Sequence, residues 1–287
     1  MSTISALWAI SLSSLISSAS SPISLVKTIN QKTNYNPQLT RQETAFSNSL
    51  SNSFSNSKLL SSAQPRYAIE VNLRSANVWM IMVNKQPTFW VKNLPDAAIA
   101  TAKLAMIMNA PDFDPNRLQT LVINGEYIGK YKNAILFKVP KSEVVNPSLN
   151  LTQWINNLRV AAGAEPLTLV EAQEQMHQLG ITNDQIDGIA SWYGPYFQGR
   201  QTASGERFEQ QDFTAAHPSL PFDTYLKVTN QQNGKSVVVR INDRGPYFGD
   251  RNLDLSHAAA IALNSDQAGV VPITATVLVQ STDNILR

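Results

Sequence analysis

Past residue 65 the apolar residues of this chain recur with two periods, and the alternation between them divides the sequence into elements. Tyr67–Leu73, Val78–Val83 and Thr88–Val91 are rich in β-branched and aromatic residues and predict strands, with Asn84-Lys85-Gln86-Pro87 as the turn between the last two. Asp96–Met108 (DAAIATAKLAMIM) follows Pro95, carries an acidic residue in its first turn and consists of strong helix formers, so it predicts a buried helix. Leu118–Ile123 and Glu126–Ile128 flank Asn124-Gly125, a strong hairpin signal, and Ala134–Val139 adds a strand. In Leu151–Ala161 the residues Leu151, Trp154, Ile155 and Leu158 fall on one side of a helix. Thr168 and Glu171 have capping-box spacing and open a helix through Gln178, with Gly180 as its stop and His177 as a solvated helix residue. The ITNDQID stretch after it reads as a short polar linker.

From Gly188 the texture becomes β. Asp212–Thr214, Leu226–Thr229, Ser236–Asn242 and Ile273–Gln280 predict strands, Gln232-Asn233-Gly234 a hairpin turn, and Ser256 the cap of a short Ala-rich helix from His257 to Leu263. Many short strands joined by Gly, Pro and Asn turns predict a small closed barrel rather than an open sheet. The organisation expected is a start segment 1–26, a polar linker 27–64, a small α+β domain of unknown role at 65–165, a helix and linker at 166–187, and the barrel at 188–282.

Composition changes the picture mainly before residue 65. Charged residues make up 15% of the 287, against about 25% in an average soluble protein. Uncharged Ser, Asn, Thr and Gln replace them, most densely in 27–64, which therefore reads as disordered. Ile4–Ile16 is an apolar run of signal-peptide length followed by Ser17-Ser18-Ala19, yet the first charged side chain is Lys27. A signal peptide and a disordered Ser-rich start both fit. No stretch reaches the about 18–20 consecutive apolar residues of a membrane span.

The net charge of +2 without a basic stripe excludes the electrostatic footprint of a nucleic-acid binder. The absence of cysteine excludes disulfides, thiolate zinc sites, a thiol nucleophile and a lipidated N-terminal Cys, so no lipid anchor is expected. His177, His217 and His257 have no close-spaced ligand partner, and neither a metal nor a cofactor is expected.

Five segments of the last domain carry more Gly and polar residues than a barrel scaffold needs: SWYG from Ser191, GRQTASGE from Gly199, TAAHPSLPF from Thr214, NGKSVVVRINDRGP from Asn233, and LDLS from Leu253. In this order and spacing, over about Gly188 to Gln280, they resemble the barrel domain of the rare lipoprotein A family. The resemblance implies a double-psi β-barrel, in which two interlocked ψ-shaped loops close six strands, and an association with bacterial peptidoglycan. Expansins, some endoglucanases and some lytic transglycosylases use similar barrels.

It also implies roles. Asp243, at the end of VVVRIN, is similar to the general acid of such enzymes, with Glu206 and His217 in the same groove. Glycosidic cleavage needs a proton for a poor alkoxide leaving group while positive charge builds at the anomeric carbon. A lytic transglycosylase manages with one carboxyl, because the muramic acid C6 hydroxyl is a tethered nucleophile.

Asp243 is expected to hold its proton near neutral pH, with Glu206 as a like-charge neighbour and with Arg240 and Arg244 turned to substrate carboxylates or other partners. Trp192 and Tyr193 read either as core or as a sugar-stacking platform, and Glu209 as a residue near the groove. The chain departs from the family at Asp223, where a Gly usually follows LPF.

The expected function is cleavage of the β-1,4 bond between N-acetylmuramic acid and N-acetylglucosamine to a 1,6-anhydro product, by an exported protein of the bacterial periplasm or envelope. The alternative is an expansin-like module that binds and loosens polysaccharide without cutting it.

Overall fold

The computed structural model describes residues 65–281, so the expected start segment 1–26 and linker 27–64 lie outside the described residues. Two compact units divide between Phe113 and Asp114.

In the first unit β1 (Ile69–Ser75), β2 (Val78–Val83) and β3 (Gln86–Lys92) form an antiparallel meander. Asn84 and Lys85 both take positive φ, 50° and 65°, which makes them a two-residue turn and brings Gln86 and Pro87 into β3 rather than the turn. Helix α1 (Leu94–Met108) is capped by Asn93, whose side-chain oxygen accepts from the Asp96 N–H at 2.9 Å. It buries Ala97, Ala100, Leu104 and Met108, whereas Ile99 and Met106 are 61% and 73% exposed. The buried helix expected from its composition is buried on one side, as befits a helix lying on a single three-stranded sheet.

The second unit opens with β4 (Leu118–Ile123), β5 (Glu126–Tyr131) and β6 (Ala134–Lys138), a meander whose first turn is Asn124-Gly125, both residues at positive φ. Helices α2 (Pro147–Ala161) and α3 (Leu169–His177) follow. On α2 the predicted face of Leu151, Trp154, Ile155 and Leu158 is buried. The capping box of α3 forms as predicted, but the helix ends on Gln178 in the left-handed conformation, two residues before Gly180.

Polar side chains bind these elements to one another and to the barrel. The Thr120 hydroxyl of β4 donates to the Ala172 carbonyl of α3 at 2.7 Å, and Asn146 Nδ2 donates to the Gln211 carbonyl. The Gln173 amide pairs with both the N–H and the C=O of Val238, at 2.9 Å each. Residues 114–187 belong to the same compact unit as the barrel.

The barrel comprises β7 (Leu179–Trp192), β8 (Thr214–Ala216), β9 (Tyr225–Asn230), β10 (Ser236–Asp243), β11 (Leu253–Leu255) and β12 (Val271–Gln280), closed in the order β10-β8-β11-β7-β12-β9. The β10–β8 and β11–β7 pairs are parallel and the others antiparallel. The mainly β fold with a closed six-stranded barrel is the one expected. Alternate residues of β10, Val237, Val239 and Ile241, are fully buried in its core with Leu226, Val228 and Ile273.

The ITNDQID stretch is not a linker. It is the first half of β7, paired with β12 from Leu179↔Gln280 to Asp187↔Thr274. Its polar side chains hid a strand that is held by backbone pairing and by contacts such as Thr274 Oγ1 to Asp187 Oδ1 at 2.7 Å. Nor is His177 simply solvated: its ring lies 4.8 Å from that of Tyr225 on β9, and its Nδ1 is 3.2 Å from the Tyr225 hydroxyl.

Candidate active site

The inward alternation of Val237, Val239 and Ile241 would carry Asp243 into the core. Between Ile241 and Asp243 the register of β10 against β8 shifts by one residue, and this bulge breaks the alternation at the strand end. Asp243 is consequently half-buried. Its Oδ1 accepts from the N–H groups of Ala203 and Arg244, both at 2.8 Å, and its Oδ2 accepts from the Tyr193 hydroxyl at 2.9 Å. Burial, then the charge of Asp243, pushes the Tyr193 phenol up, so Tyr193 is a fixed O–H donor.

The loop from Gly199 to Phe208 folds back on itself through Gly199–Phe208 and Thr202–Glu206 backbone bonds, and the Ser204 N–H donates to the Asn242 carbonyl. This brings Glu206 to β10. Arg240 clamps Glu206 with two hydrogen bonds of 2.8 Å, and Asn242 Nδ2 adds a third at 3.1 Å. The Arg240 guanidinium holds the Glu206 carboxyl below the usual carboxylate range despite partial burial. Glu206 is thus a neutralised partner of Arg240 rather than the uncompensated like charge expected beside Asp243.

Arg240 also donates to Asp223 at 2.8 Å. Asp223 takes φ 64°, the left-handed conformation that favours glycine, so the family's usual residue fits this turn; the carboxylate present here adds a second anion to Arg240.

His217 follows β8, and its backbone N–H donates to the Asp243 carbonyl at 3.2 Å. Its Nδ1 accepts from the N–H groups of Ser219 and Leu220, which fixes the neutral tautomer with the proton on Nε2. Burial, reinforced by Arg244, holds the imidazole below its usual pKa. His217 therefore offers one N–H donor, suited to a hydroxyl or carboxylate. Arg244 stacks its guanidinium 3.8 Å from the Phe222 ring centroid and donates to the Leu220 carbonyl at 2.9 Å. Both arginines turn to partners other than the Asp243 carboxylate, as expected.

Trp192 and Tyr193 separate. The Trp192 ring is tilted over His257 at 4.8 Å, and its N–H donates to the Asp266 carbonyl. The Tyr193 ring packs on Phe208 and Phe197 with its hydroxyl on Asp243. Glu209 is bound within its own neighbourhood, accepting from Gln198 Nε2 at 2.8 Å and the Gln211 N–H at 3.2 Å. The structure thus gathers Asp243, Tyr193, Glu206, Arg240 and His217 around the end of β10, and ties Trp192 and Glu209 elsewhere. Among the described residues no His, Asp and Glu cluster could hold a metal ion.

One residue was missed in the sequence. Asp254 pairs with Ala216 from one side of β8, as Asp243 does from the other, so both stand in one lateral row of the barrel wall. Ser191 donates to Asp254, and Arg251 forms an ion pair with it at 2.9 Å. The signal was the LDLS alternation, which buries Leu253 and Leu255 and turns Asp254 the other way.

Residues 185–275 match the family model for lytic transglycolase. Over 189 residues the chain is 41% identical to a protein of Synechocystis named probable endolytic peptidoglycan transglycosylase RlpA, covering 61% of this chain and 59% of that protein. A protein of the same name from Aquifex aeolicus is 55% identical over 93 residues, 32% of this chain and 41% of its own length. The chain thus spans under two thirds of the length of either relative. An expansin of Clavibacter michiganensis shares 24% identity over 34% of this chain and 52% of its own, with a TM-score of 0.29.

Proposed function

Starting from a barrel domain that belongs to the rare lipoprotein A family, with its double-psi architecture, we propose that this chain is a lytic transglycosylase that cuts peptidoglycan glycan strands without water. Its place is then the bacterial cell envelope, reached by export, and its partner the glycan strand itself.

The observation that carries the reading is the hydrogen bonding of Asp243. Two backbone N–H groups occupy Oδ1, while Oδ2 has one donor, Tyr193, and Asp243 forms no ion pair among the described residues. One lone pair of Oδ2 is left for a proton, on a half-buried carboxyl at the rim of the barrel. Protonated there, Asp243 gives its proton to the glycosidic oxygen as the bond from the muramic acid C1 breaks. The C6 hydroxyl of the same sugar then bonds to C1 and returns its proton to Oδ2, so the carboxyl ends as it began.

His217 Nε2–H holds a sugar hydroxyl or the lactyl carboxylate. Glu206, oriented by Arg240 and Asn242, keeps its charge paired with Arg240, and its partly exposed carboxylate can still accept from a strand hydroxyl. Arg240, Arg244, Trp192 and Glu209 have partners within the protein, so direct substrate contact rests on Tyr193 more than on them.

The test incubates the chain with purified glycan strands and reads the ends by mass spectrometry. Anhydro-muramyl ends are expected, and Asp243→Asn should lower their rate by about 10²–10⁴-fold while strand binding persists. Ordinary reducing ends would instead indicate hydrolysis, with Asp254 as the second carboxyl. Binding without products, unaffected by Asp243→Asn, would indicate an expansin-like module.

A further inference from the structure

Four aromatic side chains beside the site are conspicuous for being left in water. Tyr247 and Phe248 are 76% and 82% exposed, Tyr196 84% and Phe197 41%. Exposed rings of this size forgo the stabilisation that burial in the barrel would provide. One ring of each pair lies near Asp243 or its donor. Phe197 packs edge-on against Tyr193 at 5.4 Å, and the Tyr193 hydroxyl is the donor to Asp243 Oδ2. On the other loop the Tyr247 ring folds back towards Gly245, two residues after Asp243: a β-carbon at Gly245 would lie 4.0 Å from Tyr247 Cε2.

The second loop is braced. Arg251 donates to the Phe248 carbonyl at 3.3 Å through both Nε and Nη2, while its Nη1 binds Ser191 and Asp254 on the barrel wall. Its backbone is held while the rings stay outside.

We propose that Tyr247 and Phe248, with Tyr196 and Phe197, are the stacking subsites that seat the sugar rings of a β-linked glycan strand flanking the bond at Asp243. This rests on the reading of Asp243 as the group that meets the strand. A pyranose presents an apolar face of C–H bonds and a rim of hydroxyls, so it needs exposed flat rings next to polar groups. Here Phe197 lies against Tyr193, the donor to Asp243, and Tyr247 lies near Gly245, two residues after Asp243. A protein partner would instead be met by a contiguous apolar core from which charged groups are depleted.

The experiment uses the full chain carrying Tyr247→Ala, Phe248→Ala or Tyr196→Ala, with Tyr247→Trp as the conservative partner. Folding is checked by far-UV circular dichroism. Sedimentation with insoluble peptidoglycan and with purified peptide-free glycan strands gives affinity, and release of ends gives KM and kcat separately. Each Ala substitution should weaken binding to both forms about tenfold and raise KM with kcat largely retained, and Tyr247→Trp should restore both.

Unchanged affinity and KM in the Ala variants would overturn the proposal while leaving the transglycosylase reading intact. Conversely, ring-dependent binding by a chain that releases no ends would sustain the subsites and sink the cleavage. Loss confined to peptide-bearing material would overturn the proposal in favour of a stem-peptide contact. Ring-dependent association with lipid vesicles at unchanged glycan affinity would overturn it in favour of a membrane contact.

Discussion

Asp243 and Tyr193 are 50 residues apart in sequence, yet their contact decides how the candidate acid points. Asp243 was legible as a residue because its surroundings, VVVRINDRGP, carry a family resemblance. Its partners were not, because two of its three donors are main-chain N–H groups that leave no trace in side-chain identity. Tyr193 was legible as aromatic and near the groove, but not as a phenol bound to a carboxylate. Trp192 shows why neighbours must be read singly, since its N–H is spent on the Asp266 carbonyl while the next side chain reaches Asp243. Removing the phenol oxygen isolates one interaction. Tyr193→Phe keeps the ring on Phe208 and Phe197 and should lower kcat for anhydro-end release about 3- to 10-fold, the worth of one hydrogen bond to the protonated carboxyl. Wild-type kcat in a folded variant would reduce Tyr193 to packing.

Elements place these residues, and here the sequence was informative about helices and caps and less so about strands with polar sides. Thr168 and Glu171 announced α3, whereas β7 was half hidden because Asn183, Asp184 and Gln185 lack alternation and are exposed. The docking of α3 on the barrel rests on Gln173, which acts as a strand partner for Val238, and on His177 against Tyr225. Burial, with a smaller contribution from Arg240, lowers the His177 pKa from 6.5 to about 4. An imidazole with a depressed pKa binds fewer protons in the folded than in the unfolded chain between those values. Its contribution is therefore whole above about pH 6.5 and lost as pH falls towards 4, on the order of 3 kcal/mol. Thermal unfolding followed from pH 7 to 4.5 should show a steeper fall for the wild type than for His177→Gln, which keeps a polar partner for Tyr225 but does not titrate. Parallel curves would assign the acid sensitivity to carboxylates alone.

At the scale of the whole molecule, the sequence reads 65–165 as one small domain and 188–282 as another, from the changes of texture at Pro65 and Gly188, and the compact units divide at Phe113/Asp114. The contacts that join 114–187 to the barrel include single polar groups, Asn146 on Gln211 and Gln173 on Val238, and a small apolar cluster of Val170 with Val238 and Leu278, and isolated residues of this kind create no periodicity to read. This predicts where the chain can be cut. A fragment of 114–287 retains every one of those bonds and the whole of β7, so it should melt cooperatively and release anhydro ends from glycan at a rate close to that of the full chain. A fragment of 188–287 loses the β7 residues that pair with Thr274 to Gln280, leaves both backbone groups of Val238 without Gln173, and uncovers the Tyr225 ring. Exposing one strand edge and two buried polar groups costs several kcal/mol, a large share of the about 5–15 kcal/mol that holds a domain together. The shorter piece should therefore show no cooperative transition by circular dichroism and no product. Should it fold and cut as well as the longer one, the meander and helices ahead of the barrel would have to be an accessory with some other task, and not part of the wall that keeps Asp243 in place.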